Sequence, residues 1–222
     1  MQAMTGPATW YVAAGQGAEY ASAGAAAVVE AGALCRARNA ALDEGHAAGA
    51  AVVELSDDLR GCKLAQHQGD KVIGAPIPFA AAVRAIRGSA SLYGAKLAGV
   101  APTSNPFYSN PKHPVRLAAF IVGDMICVEP CALRFDERFR LKEDYDYTLQ
   151  HLAKYGRVVR CDTVLATFIH RSNAGGAVTV RTPALEQEAI ALLKAKWPHL
   201  VADNPRRANE VLLRLPTALR RR

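Results

Sequence analysis

Apolar and β-branched residues come in short blocks separated by longer stretches with helical spacing, and that rhythm predicts the elements. Residues 9–14, with Trp10, Tyr11 and Val12, read as a strand, and residues 26–29 as a shorter one, joined by a small-residue connection over 15–24. Over residues 34–45 the spacing turns helical and stops at Asp43-Glu44-Gly45. Val52-Val53-Glu54-Leu55 is the next strand, a buried run that ends abruptly in Ser56-Asp57-Asp58. Residues 63–71 read as a polar connection, residues 78–92 as a helix beginning beside Pro78, and residues 93–100 as a returning strand.

The second half continues the pattern after one interruption. Residues 101–114 hold four prolines, two of them in Asn-Pro pairs, and are too irregular for a regular element. Loops of that length are commonly functional. Residues 117–128 are a strand candidate broken by Gly123-Asp124, and Arg134 to Glu137 begin a polar turn. Residues 142–155 predict a helix with Tyr145, Leu149 and Leu152 facing inward and Gly156 ending it. A strand over 158–168, a glycine-rich turn over 170–176 and an amphipathic helix over 183–196 complete the chain before Trp197-Pro198. No internal repeat is visible. Alternation of helix and strand predicts an α/β fold whose mixed, mainly parallel sheet is flanked by helices.

The chain has 222 residues, 50% of them hydrophobic, enough for one core and too few for two comfortable domains. A single domain over residues 1–212 is expected, followed by a basic tail over 213–222 that is disordered unless a partner orders it. No apolar run approaches the roughly 20 residues needed to span a bilayer, and the amino terminus lacks the build of a secretory signal, so a cytoplasmic protein without membrane contact is expected. The five cysteines include no C-x-x-C pair and no histidine at zinc-binding spacing, which predicts reduced, mostly buried thiols. The net charge of +7 is concentrated late: residues 171–222 hold ten Lys and Arg against four Asp and Glu. That bias favours a polyanionic partner, nucleic acid before membrane, although a basic tail also serves solubility.

Four clusters carry candidate chemistry. Asp57-Asp58 sit just past the carboxyl end of a strand, where open α/β sheets place ligands, and carboxylate oxygens there suit Mg²⁺ or Mn²⁺ shared with substrate phosphates. The same two residues equally well begin a turn. Arg36, Arg38 and Asn39 near a helix start offer guanidinium forks to phosphate or a base edge, the alternative being a solvated face. Glu143, Asp144 and Asp146 fall in the first turn of a helix, where acids stabilise the macrodipole by about 0.3–1 kcal/mol each. A carboxylate held at such a point can also take a proton from a hydroxyl. Last, His170 can ligate a metal and Asn173, Gly175 and Gly176 let the backbone approach a diphosphate, whereas a lone histidine at a strand end is ordinarily structural.

Taken in order, Ala37-Arg38-Asn39-Ala40-Ala41-Leu42, the strand ending in Ser56-Asp57-Asp58, Phe135-Asp136-Glu137 followed by Glu143-Asp144, and then His170 resemble the arrangement of GT-A-fold (Rossmann-like) glycosyltransferases. More narrowly, Lys142-Glu143-Asp144-Tyr145-Asp146-Tyr147-Thr148-Leu149-Gln150 and the turn from Asn173 to Gly176 are similar to the TET/JBP-associated glycosyltransferases, many of them phage-encoded, which are thought to glycosylate hydroxymethylated pyrimidines in DNA. The resemblance covers residues 9–212 and implies a divalent cation (Mn²⁺ or Mg²⁺), a nucleotide-sugar donor such as a UDP-sugar, and DNA as acceptor. It implies Asp58 and His170 as metal ligands, Asp57 near the ribose or metal, and Arg36, Arg38 and Asn39 near the nucleotide, with Asn173, Gly175 and Gly176 beside the diphosphate. Asp144 would be the base, supported by Glu143 and Asp146. Two departures stand out: Ser56 replaces the first acid of a D-x-D pattern, and the opening nucleotide-binding unit is shortened, residues 9–14 already resembling a second strand.

Overall fold

Two four-residue runs, Leu97–Val100 and Met125–Val128, are buried at every position and lie inside the main sheet. The structure is a computed structural model that describes residues 2–169 and 181–216. In chain order it contains α1 (Gln2–Thr5), β1 (Thr9–Val12), α2 (Gly17–Ser22), β2 (Ala27–Glu30), α3 (Leu34–Ala47), β3 (Val52–Leu55), β4 (Leu59–Gln68), β5 (Lys71–Ile77) and α4 (Phe79–Tyr93). There follow β6 (Leu97–Val100), β7 (Val115–Arg116), β8 (Met125–Val128), α5 (Glu143–Tyr155), β9 (Val159–Cys161) and β10 (Val164–Phe168). The helix Pro183–Lys196, here α6, and the hairpin β11 (Val201–Asp203) and β12 (Val211–Leu213) complete the described chain.

The fold is α/β, but its sheets are not mainly parallel. The five-stranded sheet runs β3-β8-β6-β9-β7, and within it only β6 and β9 pair parallel. A parallel return needs a crossover that covers one face of the sheet. Residues 101–124 supply only the 3-10 turn Pro106–Tyr108 and the short β7, no α-helical crossover between β6 and β8, so β8 comes back antiparallel and inserts between β3 and β6. Those two strands consequently point the same way. The parallel arrangement expected from alternation survives separately in β1 and β2, joined through α2. The connection over 15–24 thus holds a helix.

Residues 63–71 are not a polar connection either. They belong to the β4–β5 hairpin, closed by Gly69-Asp70 between the paired Gln68 and Lys71, with Gly69 at φ +61°. Gly-Asp between two runs is a hairpin signal, obscured here by the polar side chains of a strand whose tip is exposed. β10 adds to β4 on the other side to give a second sheet, β10-β4-β5.

Side chains on the two faces of the main sheet enter different cores. Leu97, Ile126 and Val128 join α3, α5 and α6 through Leu42, Tyr147, Leu149, Leu152, Ile190 and Leu193. Ala98, Met125 and Cys127 face Ala82, Ile86 and Ala90 of α4 and Leu59 and Ala166 of the second sheet. All five cysteines are free, four of them buried. Leu213 pairs with Val201 and Leu215 is buried, so the start of the expected tail is structured. Among the described residues no helix is long and apolar enough to cross a membrane.

α5 is flanked by two left-handed residues, Lys142 (φ +62°) before it and Gly156 (φ +70°) after it. Leu149 and Leu152 are buried as its spacing predicts, while Tyr145 is half-buried and stacks on Phe120 with ring centroids 4.0 Å apart. Asp146 is fully buried and braces α5 against the end of α6: Trp197 Nε1 donates to it at 2.7 Å, Gln150 Nε2 at 2.7 Å, and Lys196 Nζ at 3.0 Å. Without it Trp197 Nε1 loses its charged acceptor, at about 1–3 kcal/mol, while Lys196 keeps Asp136 at 2.8 Å and Gln150 keeps the Arg134 carbonyl at 3.1 Å. Asp146→Ala is therefore expected to lower unfolding free energy by roughly 2 kcal/mol in urea titration, with a red-shifted Trp197 emission before unfolding begins. An unchanged urea midpoint would remove this structural role.

Candidate functional site

An open cleft of about 2660 Å³ is lined by the carboxyl end of β3 and the amino end of α5. Its β3 side is a turn. Leu59 N–H donates to the Ser56 carbonyl at 3.4 Å, and Asp58 N–H to Ser56 Oγ at 3.4 Å. The serine at the expected acidic position thus serves as a turn cap. Asp57 and Asp58 form the turn between β3 and β4, as one of the two readings expects, and both line the cleft half-buried. Tyr20 of α2 lines the same cleft, its phenol pushed upward by burial first and the Asp57 charge second.

Glu143 and Asp144 line the same cleft. Asp144 Oδ2 accepts from Gly123 N–H at 3.1 Å and Oδ1 from Tyr145 N–H at 2.9 Å. Its carboxyl is pushed up to about 7, first by burial and then by the Glu143 charge, with the Gly123 N–H and Arg38 pulling the other way. A base suited to neutral pH needs a value in that region.

Beneath these acids lies Arg38. Its Nη1 donates to Glu54 Oε2 at 2.6 Å, its Nη2 to the Gly123 carbonyl at 2.9 Å, and Nη2 stands 3.6 Å from Glu143 Oε1. The guanidinium also lies over the Phe135 ring, 5.1 Å from its centroid. Glu54 is 8% exposed, and burial pushes its carboxyl up despite the opposing Arg38 charge. Arg38 lines the cleft, yet its fork is spent on protein groups rather than offered to a nucleotide.

The remaining expected residues divide. Arg36 is on the cleft rim, largely exposed, and pairs with Glu137 at 2.8 Å. Asn39 turns away: its amide donates to the Phe135 carbonyl at 3.0 Å and accepts from Phe135 N–H at 2.8 Å, fastening α3 to the segment before α5. Asp146 is the α6 brace described above. His170, Asn173, Gly175 and Gly176 lie outside the described residues; the preceding Ile169 donates its N–H to the Asp58 carbonyl at 3.1 Å. Among the described residues no three His, Cys, Asp or Glu side chains gather as a metal set. Asp57 and Asp58 nevertheless offer hard oxygen donors, the type that holds Mg²⁺ or Mn²⁺ through one or two carboxylates with phosphates completing the shell.

Two residues central to this arrangement escaped the sequence reading. Glu54 was visible as a charge inside an apolar run, a position that demands a buried partner. Gly123 was visible only as a strand breaker. Its own role depends on what packs against it: an added Cβ would stand 2.8 Å from Arg38 Nη2 and 3.3 Å from Asp144 Cβ.

The raised Asp144 carboxyl has a defined signature in stability. Between its unfolded value near 3.9 and its folded value of about 7, the native state keeps a proton that the unfolded chain has lost. Stability therefore falls as pH rises through that window and levels above it. Asp144→Asn is expected to remove the Asp144 share of this fall in urea titrations run from pH 4 to 8, the share from the raised Glu54 carboxyl remaining in both proteins, so that the variant gains on the wild type toward neutral pH. Parallel profiles for the two proteins would contradict the assignment. No protein-family model, curated protein or solved structure matches the chain.

Proposed function

We propose that the protein is a metal-dependent glycosyltransferase that moves a sugar from a nucleotide sugar, a UDP-sugar in the first instance, to the hydroxyl of a 5-hydroxymethylpyrimidine in DNA. The observation that carries the reading is that Asp57 and Asp58 at a strand end and Asp144 at a helix start line one and the same cleft, joined through Ser56, Asp124 and Gly123. Beside it stands the ordered series of motifs that resembles GT-A glycosyltransferases.

In this mechanism Asp144 accepts the proton of the acceptor hydroxyl as that oxygen bonds to the anomeric carbon. The bond from that carbon to the diphosphate oxygen breaks, and the electron pair leaves with the nucleoside diphosphate. A divalent cation held by Asp58, with Asp57 beside it, would supply Lewis-acid neutralisation of the leaving group. Glu143 keeps the Asp144 proton affinity high by its charge. Arg36 on the rim is exposed enough to turn toward a phosphate.

Acceptor chemistry draws support from the surface. Phe107 and Tyr108, 79% and 70% exposed, meet edge to face at 5.2 Å on the loop over residues 101–114. Exposed aromatic faces stack on bases, and Arg206, Arg207 and Arg214 add exposed positive charge. The turn-capping role of Ser56 favours one rival: a module that binds a sugar nucleotide or nucleic acid without turnover. The same chemistry with a polysaccharide, lipid or protein acceptor is the other.

Incubation with radiolabelled UDP-sugars, Mn²⁺ and hydroxymethylated DNA is expected to label the DNA, with chelator and Asp58→Ala abolishing transfer. Asp144→Asn should cost about 10²–10⁴-fold in rate, and the wild-type rate should rise with pH on a limb near 7, the value at which Asp144 gives up its proton. Binding without transfer from any donor would favour the non-catalytic module. Replacing Phe107 and Tyr108 together by alanine should weaken DNA binding on the order of tenfold or more if each stacks on a base; unaltered affinity removes the loop from the acceptor surface.

A further inference from the structure

The candidate base and the strand-end turn are connected through Gly123 and Asp124, two residues that belong to neither helix nor strand. Gly123 presents its N–H to Asp144 at 3.1 Å and its carbonyl to Arg38 Nη2 at 2.9 Å. The Asp124 carbonyl accepts from Ser56 N–H at 2.8 Å. The space a Gly123 methyl would need is already taken, by Arg38 Nη2 at 2.8 Å and by Asp144 Cβ at 3.3 Å. Guanidinium and acid thus approach each other across a bare backbone, which only glycine leaves open.

Arg38 is itself held firmly. Glu54 takes Nη1 at 2.6 Å, and the guanidinium lies over Phe135. A planar fork can serve Glu54 and the Gly123 carbonyl together, whereas a lysine ammonium, a compact point charge, lacks that fixed two-pronged geometry. The charged groups facing Asp144 are Glu143 on its own helix and Arg38 from α3, with Glu54 behind Arg38 on β3. Burial and Glu143 favour the protonated acid; the Gly123 N–H and Arg38 favour the carboxylate.

Resting on the glycosyl-transfer reading, we propose that Arg38 and Gly123 are positioning residues for Asp144. Arg38, anchored on Glu54, fixes the backbone of Gly123, and that backbone fixes the carboxylate against the acceptor hydroxyl. Neither residue touches the reacting atoms. Because Asp124 also ties this segment to Ser56, the same link sets the separation between the Asp57-Asp58 turn and the base.

The test uses the full chain with Gly123→Ala and Arg38→Lys, the second keeping the positive charge should the added methyl prevent folding. Near-UV circular dichroism establishes that each variant is folded. In ¹³C-detected titration of the Asp144 carboxyl without substrate, both folded variants are expected to titrate at higher pH than wild type, since each loosens a contact that favours the carboxylate. In the transfer assay kcat should fall by about 10–100-fold, the scale of a misplaced reacting group, with donor KM little changed. Absence of transfer by the wild type would defeat the glycosyl-transfer reading while the titration still judges the link. A titration midpoint unchanged from wild type in the folded variants overturns the link even where sugar is transferred.

Discussion

A buried guanidinium, Arg38, sits where α3, β3, the segment before β8 and the first turn of α5 converge, through Glu54, Gly123 and Glu143. Placing a charge there is costly, and the mutual attraction in a low-dielectric interior offsets that cost only if geometry and remaining hydrogen bonds are good. Both prongs of the fork are engaged, while Arg38 Nε and Glu54 Oε1 have no hydrogen-bond partner among the described residues. Such a cluster is a poor way to gain stability compared with apolar packing. What it supplies is definition: few arrangements of four separate segments satisfy the same fork.

That definition matters because the sheet alone does not place the cleft. The main sheet supplies two apolar faces, each covered by its own layer, and both layers are ordinary cores. The site arises at their shared end, where strands stop and their polar connections must be satisfied. There Ser56, Asp124 and Gly123 join the β3 turn to the α5 start by backbone hydrogen bonds. Backbone links of this kind hold carboxylates apart at a set distance without neutralising them.

Much of this was legible from residue order, for reasons particular to each element. The β-branched run over β3 and the terminal turn were visible because strand and breaker adjoin. α6 was visible from the amphipathic spacing over residues 183–196; its cap was not singled out, and Thr182 Oγ1 accepts there from Leu185 N–H at 3.2 Å. The β4–β5 hairpin was hidden because its outer half contacts water on both faces and carries no apolar alternation. Sheet order was hidden because β8 reaches its place through a connection with no α-helix, only a 3-10 turn and the two-residue β7. Within the acidic first turn of α5, sequence could not rank the carboxylates. Asp144 opens to the cleft and Asp146 is consumed by Lys196 and Trp197, a distinction made by a helix fifty residues later.

Lys142 draws a distant part of the chain into the same arrangement. Its Nζ donates to the Asn209 carbonyl at 2.8 Å and pairs with Glu186 at 2.6 Å, immediately ahead of the acids of α5. Asn209 belongs to the connection between β11 and β12, and its own amide oxygen is held by Gln187 at 2.6 Å. The closing hairpin is thereby a buttress for the first turn of α5, not a trailing appendage. Evolutionary drift or engineering at that end would be felt at the opposite side of the chain's order, in the angle at which the acids meet whatever enters between the walls.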